Sequence, residues 1–214
     1  MTAVRLAVVG AGGFGREVAD VVEAINRVSD GDVWNLIGIF DDAPSELNLQ
    51  RLRDRGISYA GAIPRGWGGP ETYFVVGIGS PAIRVKIATS LEGLGWIPAT
   101  LVHPIAHCGS RVRVEPGTVV CAGAQISTNV SLGRHVHVNP NVTIGHDSEL
   151  QDFVSVNPAA TVSGEVVIAA ETLIGASATI LQGLHIGQKS LVGASACVVR
   201  DVEANCVVKG IPAR

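Results

Sequence analysis

Aromatic residues are scarce. Phenylalanine, tryptophan and tyrosine make up 4% of the 214 residues, so the interior must be packed from small and aliphatic side chains rather than rings. Charge is sparse as well, at 16%, and a formal balance of -3 leaves no basic excess for a polynucleotide or an anionic lipid surface. The cysteines Cys108, Cys121, Cys197 and Cys206 form neither a CxxC pair nor a disulfide framework, which points to reduced thiols and gives no metal site. No apolar run is long enough to cross a bilayer, and VRLAVVG begins a strand-like segment near the start without a secretory apolar core and cleavage site. The expectation is a cytoplasmic protein with no membrane and no nucleic-acid partner. What the chain has instead is 47% hydrophobic residues and 26 glycines, a composition that favours a repeat fold.

The repeat is explicit from Val114 onward. Every sixth residue from Val114 through Val120, Ile126 and Leu132 to Val192 and Val198 is aliphatic, without a break. The residue two before each is mostly small or aliphatic, as at Thr118, Ala124, Val130 and Val136. A period of six that carries a period of two fits neither a 3.6-residue helix nor a hairpin ladder; short strands wound round a three-sided prism produce it directly. Three hexads make one coil, so the stretch holds about five coils stacked at roughly 4.8 Å. Glycine or asparagine often follows the aliphatic residue, as at Gly133, Asn139, Gly145, Asn157 and Gly175. These residues tolerate positive φ, so this position is expected to turn the chain between faces.

Residues 1–100 read differently. LAVVG at 6–10 is a buried parallel strand, GAGGFG at 10–15 is a glycine turn, and Val18, Val21, Val22 and Ile25 mark one side of a helix. Gly10, Gly12 and Gly15 fit G-x-G-x-x-G, where backbone N–H groups and a helix N-terminus can hold a diphosphate. WNLIGIF at 34–40 is a second strand ending in Asp41-Asp42, and TYFVVGIGS at 72–80 is a third ending in another glycine turn that contains Gly79. A nicotinamide-dependent reductase is the obvious alternative for such a motif, but only about 100 residues precede the repeat and no separate hydride-transfer domain follows. A purely structural role for these glycines, letting a helix approach the sheet, stays open.

Of the six histidines, His103, His107, His135, His137, His146 and His185, position singles out His146. It lies two residues past an inward aliphatic, at a corner where a side chain can leave the prism. Asp147 follows directly, and a carboxylate beside an imidazole fixes its tautomer and strengthens it as a base. Such a pair suits acyl transfer, in which a base takes the proton of an attacking amine or hydroxyl and a thiolate departs from a thioester.

GAGGFG, the paired aspartates, LVHPIA at 101–106, IGHD at 144–147, DFVSVNPAATVSG at 152–164 and GIPAR at 210–214 resemble the sialic acid O-acetyltransferases and nucleotide-amino-sugar N-acetyltransferases. The resemblance runs along essentially the whole chain. It implies a Rossmann-like α/β domain over 1–100 that binds a nucleotide-linked sugar, and a left-handed hexapeptide-repeat β-helix over 101–214. It also implies a homotrimer with acetyl-CoA in the groove between adjacent β-helices, and no metal. Carried across, His146 matches the general base and Asp147 its acidic neighbour. Gly12, Gly13 and Phe14 match the nucleotide-sugar loop, joined by Asp41, Asp42 and Gly79. Phe14 stands where many members have histidine, and Ser155 where the family often carries a second histidine near the acetyl carbonyl. Ala176 and Ala194 match main-chain contacts to pantetheine, Gly164 joins the cofactor side, and Lys209 would meet a CoA phosphate.

The expected activity is therefore acetyl-CoA-dependent N-acetylation of a nucleotide-linked amino sugar. Three alternatives stay open: O-acetylation of a sialic acid-type sugar, a zinc enzyme of the β-helical carbonic anhydrase kind using His135, His137 and His146, and a non-catalytic nucleotide-sugar-binding scaffold.

Overall fold

The structure is a computed structural model that describes residues 3–66, 69 and 71–214. The chain divides into two compact units, Met1–Gly79 with Ile83–Pro104, and Ser80–Ala82 with Ile105–Arg214. No helix among the described residues is long and apolar enough to cross a membrane.

The first unit is built on a five-stranded sheet. β1 (Val4–Val9), β2 (Trp34–Phe40), β3 (Tyr59–Gly61), β4 (Tyr73–Val76) and β5 (Ile97–Pro98) lie side by side in the order β3-β2-β1-β4-β5, all parallel. α1 (Gly13–Val28), α2 (Glu46–Asp54) and α3 (Pro81–Gly93) complete the α/β alternation. β1 is central, and its Leu6 to Val9 have no exposed surface, as expected for a strand covered on both faces. The order reverses beside β1, where the chain leaves for β2 on one side and for β4 on the other, and such a switch point opens a crevice at the strands' C-terminal ends.

The glycines at that crevice divide into two kinds. A β-carbon on Gly15 would overlap the Gly10 carbonyl, and one on Gly77 would lie 2.6 Å from the Gly15 Cα, so these two let α1 and the turn after β4 close on each other. Gly12, Gly13 and Gly79 would meet nothing within 4 Å. Packing does not require glycine at those three positions, and no neighbouring atom fills the space on their Cα side.

The second unit winds as a left-handed parallel β-helix with three flat faces. Each strand is two residues long, and each pairs in parallel with the strand one coil away. The first face stacks 107–108, 125–126, 143–144, 161–162, 179–180 and 197–198; the second begins at 113–114 and the third at 101–102 and 119–120. The hexad aliphatics point inward as expected: Ile126, Leu132, Val138, Ile144, Leu150, Val156 and Val162 have no exposed surface.

The turn chemistry departs from the expectation. Gly133, Gly145, Gly175, Gly187 and Gly193, directly after the aliphatic residue, do not take positive φ. At Gly145 and Gly175 a β-carbon would instead collide with backbone of the next coil. Positive φ falls two residues later, at Asn129, His135, Asn141, Asp147, Phe153, Ala159, Glu165 and Glu171, and at Gly117, Gly123 and Gly183 in the same register. The left-handed residue is mostly not glycine, and coil-to-coil hydrogen bonds such as Asp147 N–H to Thr128 O at 3.1 Å hold it there.

Candidate active site

His146 lies at the corner between the first and second faces, with its side chain 56% exposed. Its backbone is pinned, the carbonyl accepting from Glu165 N–H at 2.8 Å. The ring Nδ1 is 2.7 Å from Asp147 Oδ2, and Asn129 Nδ2 donates to Asp147 Oδ1 at 2.7 Å. A carboxylate only accepts, so in this pair Nδ1 is the donor, and a neutral ring so held would carry its lone pair on Nε2. The Asp147 carboxyl is held below its ordinary value, first by the Asn129 hydrogen bond and then by that from His146.

The free edge of the ring lies over Gly164. A β-carbon there would come within 2.6 Å of both Cε1 and Nε2. The ring also borders a groove of about 320 Å³ on the first face, lined by His107, Gln125, Ser127 and Thr143. A larger groove of about 540 Å³ on the second face, around Arg113, Glu149 and Asp152, contains none of the residues predicted for the site. The ligand atoms of His146, Asp147 and Glu165 lie within 4.8 Å of one another, all three residues exposed, so Glu165 sets a second carboxylate beside the His146 ring.

Among the predicted cofactor positions, Gly164 belongs with His146. Ala176, Ala194 and Lys209 lie along the opposite corner, between the third and first faces: Gly175 abuts the Ala194 nitrogen and Gly193 abuts the Lys209 Cβ. The structure therefore distributes the expected cofactor residues over the two edges of one face. Ser155 is a correction. It pairs with His137 on the third face and has no exposed surface, so its hydroxyl has no route to a ligand. The histidine trio imagined for zinc is corrected too: His135 is fully buried with its ring stacked on Phe153 at 5.0 Å, and His137 is 1% exposed. Neither can meet His146 or a histidine of another chain.

In the first unit, Gly12, Gly13, Phe14, Asp41, Asp42 and Gly79 all fall at the C-terminal end of the sheet. Asp41 ties two loops there, accepting from Ala11 N–H at 2.8 Å and Ala43 N–H at 3.0 Å, while Asp42 accepts from Ile63 N–H at 2.9 Å. Both carboxylates therefore shape the crevice wall through backbone contacts. Sequence reasoning missed Arg84, which is fully buried in α3 and donates to the carbonyls of Ile78 at 2.9 Å and Gly79 at 3.3 Å. Burial pushes its pKa down to about 9, so it still carries its charge at neutral pH beneath the second glycine turn. Asn129 and Glu165 were missed as well. Both lie one coil of eighteen residues from Asp147, so stepping one coil length up and down from Asp147 would have found them.

Residues 5–91 match the family model described as the PglD N-terminal domain. The acetyltransferase domain of PglB from Neisseria gonorrhoeae superposes over 98% of both chains, with a TM-score of 0.84 and 28% identity. Over nearly its whole length the chain is thus similar in fold to that acetyltransferase domain, and residues 5–91 are similar to the PglD N-terminal domain. PerB from Caulobacter crescentus, solved in complex with CoA and GDP-perosamine, gives a TM-score of 0.79 over 98% of this chain and 95% of that one, at 25% identity. A GDP-perosamine N-acetyltransferase of Escherichia coli O157:H7 is 29% identical over 144 residues. That match spans 67% of this chain and 63% of the length of the relative.

Proposed function

We propose that this chain transfers the acetyl group of acetyl-CoA to the amino group of a nucleotide-linked sugar. The observation that carries the reading is the His146 ring, exposed and bound through Nδ1 to Asp147, with Nε2 left open over Gly164 beside a groove. An imidazole held through Nδ1 in this way acts as a base through Nε2. It takes the proton of the acceptor amine as nitrogen attacks the thioester carbonyl; the C–S bond then breaks and CoA leaves as thiolate, with no covalent intermediate on the enzyme. The similar gonococcal domain, solved in complex with acetyl coenzyme A, supports the donor, and PerB with GDP-perosamine supports a nucleotide sugar as acceptor. Gly12, Gly13 and Gly79 fit the acceptor's diphosphate, because no side chain fills the space beside them and they flank the switch point of the sheet.

The reading includes a homotrimer. Gly164 and the base occupy one edge of the first face while Ala176, Ala194 and Lys209 occupy the other, and a groove between two copies would bring one edge of each together. It also includes the cytoplasm, in keeping with four free cysteines and with a reducing compartment that supplies acetyl-CoA.

The deciding experiment offers acetyl-CoA and a panel of nucleotide-linked amino sugars and sialic acids to the full chain and follows thiol release. Turnover with an amino sugar is expected, and His146→Ala should lower kcat by roughly 10²–10⁴ with substrate binding retained. Acetylation of hydroxyl acceptors alone, or a His146→Ala variant that turns over normally, would refute the proposal.

A further inference from the structure

We propose that Asn129 is a positioning residue for the base: it locks the Asp147 carboxylate in the one orientation that keeps the His146 proton on Nδ1. The proposal deepens the acetyltransfer reading and rests on it for its kinetic consequence, although the tautomer itself is a property of the free protein.

Three side chains form one chain of contacts, Asn129 Nδ2 to Asp147 Oδ1 at 2.7 Å and Asp147 Oδ2 to His146 Nδ1 at 2.7 Å. All of them are exposed, so water competes for each group and the carboxylate needs a second anchor to hold one rotamer. Asn129 supplies it from one coil below, and supplies it rigidly. Its φ of 58° and that of Asp147 at 59° put both at the same corner register, and Asn129 N–H donates to Ser110 O at 2.9 Å while Asp147 N–H donates to Thr128 O at 3.1 Å. The two backbones are thus bolted to successive coils, and the amide side chain fixes the carboxylate oxygen that His146 does not hold. An amide N–H suits this role because it donates without charge, and so leaves the carboxylate's negative charge available to the imidazolium that forms as the acceptor loses its proton. The depressed pKa of Asp147, whose largest cause is the Asn129 hydrogen bond, agrees with this arrangement.

The groups facing this relay from neighbouring coils are Glu165, one coil above Asp147, and the Ser110 and Thr128 hydroxyls, which bond to each other at 2.8 Å. Neither hydroxyl is occupied with Asp147. The amide of Asn129 is the donor on Asp147 Oδ1.

Two variants test the assignment. Asn129→Gly removes the side chain while accepting the same left-handed φ, and Asn129→Asp keeps the shape but sets a carboxylate against Asp147. Two-bond ¹H–¹⁵N spectra of histidine-labelled protein, taken above the ring's titration, should show His146 with its proton on Nδ1 in the wild type and a mixture of both tautomers in either variant. In acetyl transfer both variants should lose kcat by roughly tenfold with KM values within about twofold, and on an Asp147→Asn background Asn129→Gly should cost nothing more. An unchanged tautomer in both variants, or a kcat loss that adds fully to that of Asp147→Asn, would overturn the assignment. A wild-type protein that releases no thiol with any acceptor would instead defeat the acetyltransfer reading, and the spectra would still decide the role of Asn129.

Discussion

At Gly164 the useful property is the atom the residue lacks. Its φ lies outside the left-handed range, so alanine brings no backbone strain, yet an added β-carbon would sit 2.6 Å from the His146 Cε1 and Nε2. The ring is exposed and can swing aside, which makes the stability cost small. The catalytic cost is not small, because displacing a base by about 1 Å can lower a rate roughly 10²-fold. Gly164→Ala should therefore reduce kcat on that order while its thermal midpoint stays within about 2 °C of the wild type. Differential scanning fluorimetry beside a thiol-release assay checks both halves, and an alanine variant of normal activity would show that the base does not work from the orientation seen. The same residue illustrates how a sequence hides a site. Gly164 closes a stretch that resembles the family, but nothing local says that its missing side chain serves a histidine eighteen residues earlier.

The element that makes this possible is the coil, and coils were the most legible part of the chain. Unbroken aliphatic hexads can be satisfied only if every sixth residue reaches a common interior, so Ile126, Ile144 and Val162 were readable as stacked core residues before any coordinates. Residue preference was a poorer guide to the corners. Positive φ goes to His135, Asp147, Phe153 and Glu171 because the corner's hydrogen-bonded geometry demands it, while the glycines one step past the aliphatic residue answer a steric demand from the next coil. Ser155 shows a third limit: the hexad pattern separates inward from outward positions, but not an outward position that is covered from one that is open. The pairing of His146 with Asp147 was legible because the two are adjacent; Asn129 and Glu165 were not, since their proximity comes from stacking. Stacking also predicts how damage spreads. Ile144→Ala and Ile168→Ala each empty a fully buried site of equal size, and each should cost about 2–5 kcal/mol in chemical denaturation. Only Ile144 leads into the His146 corner, so only Ile144→Ala should also lower kcat at temperatures where both variants remain folded. Equal kcat losses for the two would mean that activity follows global stability rather than the local corner.

In the whole molecule, one chain carries His146 on one edge of its first face and Ala176, Ala194 and Lys209 on the other. A site assembled between copies predicts a result that a site within one chain cannot give. Ala194 is exposed, so Ala194→Trp should block its edge without disturbing the core, and His146→Ala removes the base from the other edge. Each variant alone should be inactive in every copy. Co-expression should restore activity, because an interface between the intact base of one variant and the intact opposite edge of the other lacks nothing. In a ring of three, any mixed trimer contains one such interface, so mixed trimers isolated through a different tag on each variant should recover roughly a third of the wild-type turnover. Thiol release is followed against the separately expressed controls. Tandem-purified mixtures without activity would put base and acetyl donor within a single chain, and the trimeric groove would have to be abandoned while the role of His146 could stand.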